Sequence, residues 1–251
     1  MLRWADNNLL DLKWEEIGEH YGRYRLHVPE AERAMARSLE RYGQLSPVVV
    51  CRRQDRYELI DGFKRLSAVR GQAQIPRLSA RLLEADERQA KAAIYGLNRA
   101  GGRTRELEEA WIIQALVRED GLSQVEVAEL LGRHKSWVCR RLGMWKALSP
   151  RLLAEGGLQE LEGGSVRRLA LLPVCNQEEL IAVSRREALG ARDTTALIGL
   201  WAQAPDSEAR RYLIDHPREA IALSRASAQE SKDPRLGKVA AEVLQSMVMM
   251  R

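Results

Sequence analysis

Residues 123–142 read SQVEVAELLGRHKSWVCRRL. Ser123 carries the side chain of a helix N-cap, and Glu126 three residues later completes a capping box. Gly132 stands between two short helical patterns, where a left-handed backbone is easiest without a side chain. The spacing predicts a helix-turn-helix, a motif whose second helix enters the major groove of DNA.

Apolar residues of this stretch predict the buried sides of its two helices. Ala128 is small at the point where the second helix must cross the first closely. The predicted buried positions are Val127, Leu130 and Leu131 in the first helix and Val138 and Leu142 in the second.

The opposite side of the second helix is strongly basic. Residues 132–151 contain six Lys or Arg and no Asp or Glu, as neutralisation of phosphates requires. The residues predicted to contact base edges are Lys135, Ser136 and Arg140, with His134 and Cys139 on the same exposed side. Those predicted to contact phosphates are Arg133, Arg141 and Lys146, with Ser123 and Gln124 at the start of the first helix. The alternative is an ordinary helical hairpin with a solvated basic face. We interpret Trp137 as a packing residue rather than a base-stacking one.

Composition limits the kinds of protein that this chain can be. Hydrophobic residues make up 45% and charged residues 30%, which indicates a folded globular chain. The net charge of +5 lies in residues 1–150, with 26 Lys and Arg against 21 Asp and Glu, whereas residues 151–251 hold 14 of each. Three widely spaced cysteines argue against a disulfide framework or a zinc finger. No secretory signal or apolar run of membrane-spanning length is evident, so we expect a cytoplasmic, nucleoid-associated protein without a membrane partner.

The chain before residue 99 mixes helices and strands, and the chain after it is helical in pattern. The predicted elements are helices at 29–43, 63–71 and 86–98, strands at 45–53, 57–60 and 75–83, and a helix at 105–120. The predicted fold class is α+β, with a small mixed α/β domain followed by an all-helical part. The predicted divisions are an irregular, partly helical lead-in at 1–24, an α/β domain at 25–98, a DNA-binding domain at 104–200 and a helical segment at 201–251.

This order of elements resembles the ParB family of bacterial chromosome and plasmid partition proteins over about residues 25–200. The stretch RSLERYGQLSPVVVCRR (37–53) looks like the first box of the family, a helix and a Gly-x-x-x-Pro turn into a strand. YELIDGFKRLSAVR (57–70) looks like its second box. GGSVRRLALLP (163–173) resembles the helix that follows the family's DNA-binding motif.

ParB proteins are known as CTP-dependent DNA clamps, so the resemblance implies a nucleotide site in the N-terminal domain, with CTP and Mg²⁺ as its ligands. The implied nucleotide-binding residues are Gly62, Phe63, Lys64, Arg65 and Asn98.

Two departures from the family pattern argue against CTP hydrolysis. Gly62 to Arg65 replace the usual Gly-Glu-Arg-Arg. In the family's Glu-Asn-x-x-Arg motif, where the Glu is metal-linked and the Arg supports phosphates, only Asn98 is retained, because Leu97 and Gly101 occupy the other two positions. Arg99 or Arg103 could take the place of the missing arginine.

The resulting hypothesis is a sequence-specific double-stranded DNA-binding homodimer that acts in partition, nucleoid organisation or transcription control of a mobile element. The alternatives are a CTP-switched clamp, a nuclease that uses Glu58 and Asp61, and an adaptor that no longer reads DNA. The sequence shows no catalytic motif and no metal-ligand pattern. The apolar stretch at 239–250 is interpreted as a dimer contact or as internal packing.

Overall fold

A computed structural model describes residues 3–70, 75–100, 105–155, 158, 161 and 164–230. The chain divides into two compact units, Met1–Ala147 and Leu148–Arg251. The first unit contains the sheet and the predicted helix-turn-helix, and the second is helical.

Five strands form one mixed sheet in the first unit, in the order β1-β5-β3-β4-β2. The strands are β1 (Arg3–Lys13), β2 (Ile17–Gly18), β3 (Val48–Arg53), β4 (Arg56–Asp61) and β5 (Arg77–Glu84). β3 pairs antiparallel with β4 across a turn in which Gln54 has a φ of 54°, and parallel with β5. The predicted strands at 45–53, 57–60 and 75–83 are thereby confirmed.

Six α-helices are described in the first unit. They are α1 (Pro29–Tyr42), α2 (Phe63–Arg70), α3 (Glu87–Ala100), α4 (Glu106–Arg118), α5 (Gln124–Leu130) and α6 (Lys135–Ala147). α1 begins with Pro29 in its first turn and ends at Tyr42, and its C-cap Gly43 has a φ of 66°, a backbone conformation that glycine adopts without steric cost. Two short 3₁₀ segments are described: Trp14–Glu16 lies between β1 and β2, and His20–Tyr24 lies between β2 and α1.

Both faces of the sheet are buried. Neighbouring residues of a strand point to opposite faces, so the residues of β3 belong alternately to two core clusters. Val48 and Val50 of β3 belong to one core cluster, together with Leu39 of α1 and Leu66 of α2. Val49 and Cys51 belong to a second cluster with residues of α3 to α6. This second cluster contains Ile94, Ile113, Leu116, Val127, Val138 and Leu142. The helix-turn-helix therefore shares its core with one face of the sheet.

The second unit has six described helices. They are α7 (Pro150–Ala154), α8 (Ser165–Leu169), α9 (Val174–Arg186), α10 (Ala191–Gln203), α11 (Ser207–Asp215) and α12 (Pro217–Glu230). Leu180, Leu197, Ile198 and Trp201 are buried in it. The helical pattern predicted for this part is confirmed where the structure describes it. The predicted contact at 239–250 and the Gly pair at 156–157 lie outside the described residues.

The prediction for residues 1–24 was wrong in its main element. Residues 3–13 form β1, which pairs antiparallel with β5, with a register shift between Trp4 and Leu9. This stretch lacks the β-branched residues that mark a strand, so its conformation comes from pairing with β5 rather than from local propensity.

Candidate nucleic-acid interface

The start of α5 has the capping box that the sequence predicts. The Ser123 hydroxyl accepts from the backbone N–H of Glu126 at 3.3 Å, and the Glu126 carboxylate accepts from the N–H of Ser123 at 2.8 Å. The backbone N–H of Ser123 lowers the pKa of Glu126, because the hydrogen bond favours the ionised carboxylate. The exposed end of α5 is therefore fixed by its own side chains.

The turn between α5 and α6 sets the angle of the two helices. Gly132 has a φ of 60°, which a residue with a side chain rarely adopts. Val127, Ala128 and Val138 are buried beside the turn, as predicted. Leu130, however, is 37% exposed, so the prediction that it belongs to the buried face was wrong. α5 has seven residues and buries only Val127 and Ala128, so its buried stripe is too narrow to include Leu130.

The exposed side of α6 carries most of the residues that the sequence selects. They are His134, Lys135, Ser136, Cys139, Arg140 and Lys146, all exposed. Within the described part of the chain, Lys135, Arg140 and Lys146 form no salt bridge. Their charges are therefore available to an anionic partner.

Hydrogen bonds at two places order this surface. His134 Nδ1 accepts from the N–H of Ser136 at 3.2 Å and lies 2.8 Å from the Ser136 hydroxyl, so the imidazole satisfies an N–H that the first turn of α6 leaves unpaired. Cys139 Sγ donates to Gln124 Oε1 at 2.8 Å, which joins α6 to the first residue of α5.

Arg141 does not lie on the exposed surface, which contradicts its predicted contact with phosphate. Its Nε donates to Glu109 at 2.7 Å, its Nη2 lies 3.4 Å from Glu106, and the side chain is 15% exposed. Arg133 is also engaged, because its Nε donates to the Tyr95 hydroxyl. The acidic first turn of α4 was the missed signal, since Glu108 and Glu109 are buried there.

Residues of the second predicted site line one cavity of about 390 Å³ in the first unit. The five residues implied by the family resemblance are all in its wall, namely Gly62, Phe63, Lys64, Arg65 and Asn98. Gly62 has a φ of 109°, and a Cβ there would lie 2.5 Å from Val48 Cγ1. Only glycine therefore fits the tight passage from β4 into α2, whose N-terminus begins at the cavity wall.

Arg65 has a structural role at this cavity. Its guanidinium donates to the carbonyl oxygens of Ser46 and Pro47 at 2.5 and 3.0 Å, and it lies 3.5 Å from Asp61. The side chain is 12% exposed, so it fixes the loop before β3 and has little surface left for a ligand.

Asn98 reaches the cavity from the last turn of α3. It is 3% exposed, and its Nδ2 donates to the Ile94 carbonyl at 2.7 Å. Of the arginines considered as substitutes, Arg99 is exposed and does not line the cavity, and Arg103 lies outside the described residues. Arg105, which the sequence analysis missed, does line it.

The carboxylates in the cavity wall are occupied by neighbouring donors. Glu108 accepts from Arg25 at 3.0 Å and from the N–H of Leu26 at 2.9 Å. The remaining pairs are Glu19 with Arg70, Glu32 with Ser67, and Asp61 with Arg65. No group of three or more His, Cys, Asp or Glu that could hold a metal ion occurs among the residues with described positions.

The two acids considered for a nuclease are also engaged. The Glu58 carboxylate is 8% exposed and accepts from the backbone N–H of His20 at 2.8 Å. Burial, followed by nearby Arg53 and Arg23, lowers the pKa of His20. Glu58 thus supports the backbone at residues 18–20, and Asp61 pairs with Arg65.

None of the described helices has the length and apolar character of a membrane-spanning helix.

Comparison with protein families matches residues 4–98 to the ParB N-terminal domain. Residues 4–98 therefore belong to the ParB N-terminal domain family. The resemblance noted in the sequence is thereby confirmed, and the match includes residues that the sequence analysis assigns to a lead-in. All five predicted nucleotide-binding residues fall within the matched range.

Curated relatives of this chain include probable chromosome-partitioning proteins. It is 29% identical over 188 residues to a probable chromosome-partitioning protein ParB of Coxiella burnetii, covering 74% of this chain and 63% of the relative. It is 32% identical over 176 residues to the protein of the same name in Pseudomonas putida, covering 69% and 59%. The chain thus spans about three fifths of the length of these relatives.

Solved structures of Caulobacter crescentus ParB are also similar. The C-terminally truncated protein complexed to the centromeric parS site is 20% identical, with a TM-score of 0.40, covering 76% of this chain and 98% of that one. The same truncated protein complexed with CTP-gamma-S is 21% identical, with a TM-score of 0.33, covering 70% and 99%.

Proposed function

We propose that this protein binds a specific double-stranded DNA sequence through α6 and acts in the partition of a bacterial chromosome or plasmid. The observation that carries the proposal is the exposed side of α6, where Lys135, Ser136 and Arg140 lie together and, among the described residues, the two cations form no salt bridge. Nucleoid organisation and transcription control of a mobile element are related roles of the same surface.

The geometry divides the contacts into two kinds. Ser136 and Arg140 are four residues apart and so lie on one side of α6, where both can reach base edges in the major groove. Lys135 is the third base-edge candidate, and Lys146 is placed two turns further along to meet phosphate. Ser123 and Gln124 contribute at the N-terminus of α5, whose dipole favours a phosphate oxygen.

We further propose that the protein acts as a homodimer on two related half-sites. One helix-turn-helix contacts only a few base pairs, and a two-fold pair of them doubles the readout. The names of the curated relatives support a role in partition, and such a role would keep the protein at the nucleoid.

Selection of bound duplexes from a random pool tests this function. We expect enrichment of one consensus with two inverted half-sites, and an affinity for it that falls as salt rises. Arg140→Ala with Lys135→Ala should abolish enrichment, whereas Arg41→Ala, an exposed change on α1, should leave it intact. Recovery of unselected sequence from the wild-type protein, even at low salt, would overturn the proposal.

A second candidate function is nucleotide binding, as a CTP-switched clamp. It is favoured by the convergence of Gly62, Phe63, Lys64 and Asn98 on one cavity, whose volume lies in the usual range for small-ligand sites. The described wall contains six Lys or Arg against four Asp or Glu, so it keeps a net positive charge that suits phosphates after the ion pairs are counted. When bound, CTP would supply the switch between clamp states.

Magnesium does not fit the cavity as well as the nucleotide does. A magnesium ion is bound by free carboxylates or other oxygens, and each acid in the described part of the wall already accepts from an arginine, a serine or a backbone N–H. The described wall therefore lacks the free carboxylates that a metal-dependent hydrolysis would use.

Calorimetric titration with CTP, with and without magnesium, tests this candidate. We expect binding in the micromolar range that Lys64→Ala weakens, with GTP as the control nucleotide. Absence of heat with CTP, alongside intact DNA binding, would leave a DNA-binding protein without a nucleotide switch.

A further inference from the structure

Trp137, at the start of α6, is surrounded by charged and aromatic groups from three elements. The guanidinium carbon of Arg133 lies 4.9 Å from the centroid of the indole ring, and that of Arg141 lies 5.5 Å from it. The ring of Tyr95, on α3, is 5.6 Å away at an angle of 50°. Cations at these distances are attracted to the face of an indole ring.

The guanidinium groups of both arginines are fixed by hydrogen bonds. The Tyr95 hydroxyl accepts from Arg133 Nε, and Arg133 also lies 5.7 Å from the centroid of the Tyr95 ring. Glu109, on α4, accepts from Arg141 Nε at 2.7 Å. We call Tyr95, Glu109, Arg133, Trp137 and Arg141 the Trp137 cluster; it connects α3, the turn and α4 to α6.

The position of the cluster around α6 matters because residues of a helix are separated by about 100°. Val138 points into the core, and Ser136 and Arg140 lie about 160° to either side of it, toward solvent. Trp137 and Arg141, four residues apart, lie on one flank between the core and the exposed side. Contacts at a flank therefore add to the packing of the buried stripe in resisting rotation of the helix about its own axis.

Small rotations of α6 would displace the residues that contact bases. With a helix radius of about 6 Å including side chains, a rotation of about 10° moves a side-chain tip by about 1 Å. Binding groups must be held to about 0.5 Å to keep their hydrogen bonds. Sequence readout thus depends on whatever fixes the axial rotation of α6.

We propose that the Trp137 cluster sets the axial rotation of α6 and thereby determines sequence specificity without touching DNA. The inference rests on the proposed DNA binding. Trp137 and Arg141 are positioning residues in this scheme, and Ser136 and Arg140 are the groups they position. Arg141, although cationic and on the DNA-binding helix, contributes to specificity rather than to attraction for phosphates.

Binding titrations with the selected duplex and with a shuffled duplex of equal composition test this proposal over a range of salt. In Trp137→Leu and Arg141→Met, we expect the ratio of the two affinities to fall at least tenfold. The slope of affinity against salt should stay at the wild-type value, because no phosphate contact is lost. Trp137→Phe keeps a π face and should recover most of the ratio. Arg41→Met, which removes one exposed charge on α1, is the matched control and should change the ratio less than threefold.

Several results would overturn the proposal. One is an unchanged ratio in Trp137→Leu and Arg141→Met; another is a salt slope reduced by about one in Arg141→Met, since that result marks a direct phosphate contact. A variant that is only less stable loses affinity for both duplexes equally, and this too counts against a positioning role.

Amide hydrogen exchange separates this inference from the proposed function. Glu109→Gln keeps the shape of the Glu109 side chain beside Arg141 and removes the carboxylate charge, so the fold is expected to persist. We expect faster exchange in residues 135–141 of this variant and unchanged exchange in α1. Unchanged exchange in residues 135–141 would overturn the positioning role of the Trp137 cluster whether or not DNA binds. Faster exchange together with failure of the wild type to bind any duplex would overturn the proposed function, and would leave the cluster as a contact that fixes α6 without a role in specificity.

Discussion

Lys91 is 2% exposed, and its ammonium group lies 2.7 Å from Asp120 and 3.3 Å from Glu119. These two salt bridges join α3 to the end of α4, just before the capped start of α5. A buried lysine without its acids would be an unpaired charge in a poorly solvated place. The contact therefore fixes the segment that leads into the helix-turn-helix.

Lys91→Met should destabilise the protein, because Asp120 would remain nearly buried without its partner. Loss of one member of a buried pair costs about 3 kcal/mol. Urea denaturation followed by circular dichroism measures the change. Arg23→Met is the control, since Arg23 contacts Glu119 at the surface and exposed pairs contribute less than about 1 kcal/mol. Equal losses in the two variants would contradict the buried character of Lys91.

Gly62→Ala should lower the free energy of unfolding by about 2 kcal/mol or more, because the backbone at φ 109° and the contact with Val48 both oppose a Cβ. Gly96→Ala is the matched control on α3, where nothing lies within 4 Å and alanine favours the helix. This control should gain about 0.5–1 kcal/mol. A neutral Gly62→Ala would mean that the passage from β4 to α2 is looser than described.

Ser123→Ala should cost about 1 kcal/mol of stability, because α5 would lose the side chain that accepts from the N–H of Glu126. Thermal unfolding measures the loss, and Ser123→Asp should restore most of it, since aspartate also caps a helix. Loss of stability in both variants to the same extent would show that the cap is not what stabilises this end.

Glu126 should give stability a dependence on acid pH. Its pKa is lowered in the folded protein, from the ordinary value of 4.5, so its contribution is complete above the unfolded pKa and disappears as the pH falls through the folded one. The difference in unfolding free energy between wild type and Glu126→Gln should therefore shrink between about pH 6 and pH 3. A difference that grows toward acid pH would have the wrong sign.

Arg140→Ala should weaken binding to the selected duplex by about 1–3 kcal/mol and relax the preference at one base position. Lys146→Ala should instead weaken binding to all duplexes alike and reduce the salt slope by about one. Fluorescence anisotropy at several salt concentrations measures both quantities. Matching behaviour of the two variants would remove the distinction between base and phosphate contacts on α6.

Local patterns predicted the two helices α5 and α6 and the turn between them. Ser123, Glu126 and Gly132 act on residues three or four positions away, so their effects are readable from spacing alone. The same holds for β3 and β4, which are joined by a short turn. The family resemblance, rather than spacing, selected Asn98 together with the residues after Gly62, and the fold brings them to one cavity.

Non-local contacts explain what the sequence analysis missed. β1 is a strand because β5 lies beside it, and nothing within residues 3–13 indicates that partner. Arg141 points toward α4 because it forms salt bridges there with Glu106 and Glu109, which lie about thirty residues earlier in the sequence. A cation on a DNA-binding helix looks the same in sequence whether it meets a phosphate or a buried carboxylate.

The register shift in β1 has a consequence for the behaviour of the protein at high concentration. β1 is the outermost strand of the sheet, and a long regular edge is a template on which foreign chains can add and polymerise. The interruption between Trp4 and Leu9 breaks the row of backbone groups and bends the strand. The edge is thereby protected against fibril-like growth, and the sheet can stay intact in a crowded cell.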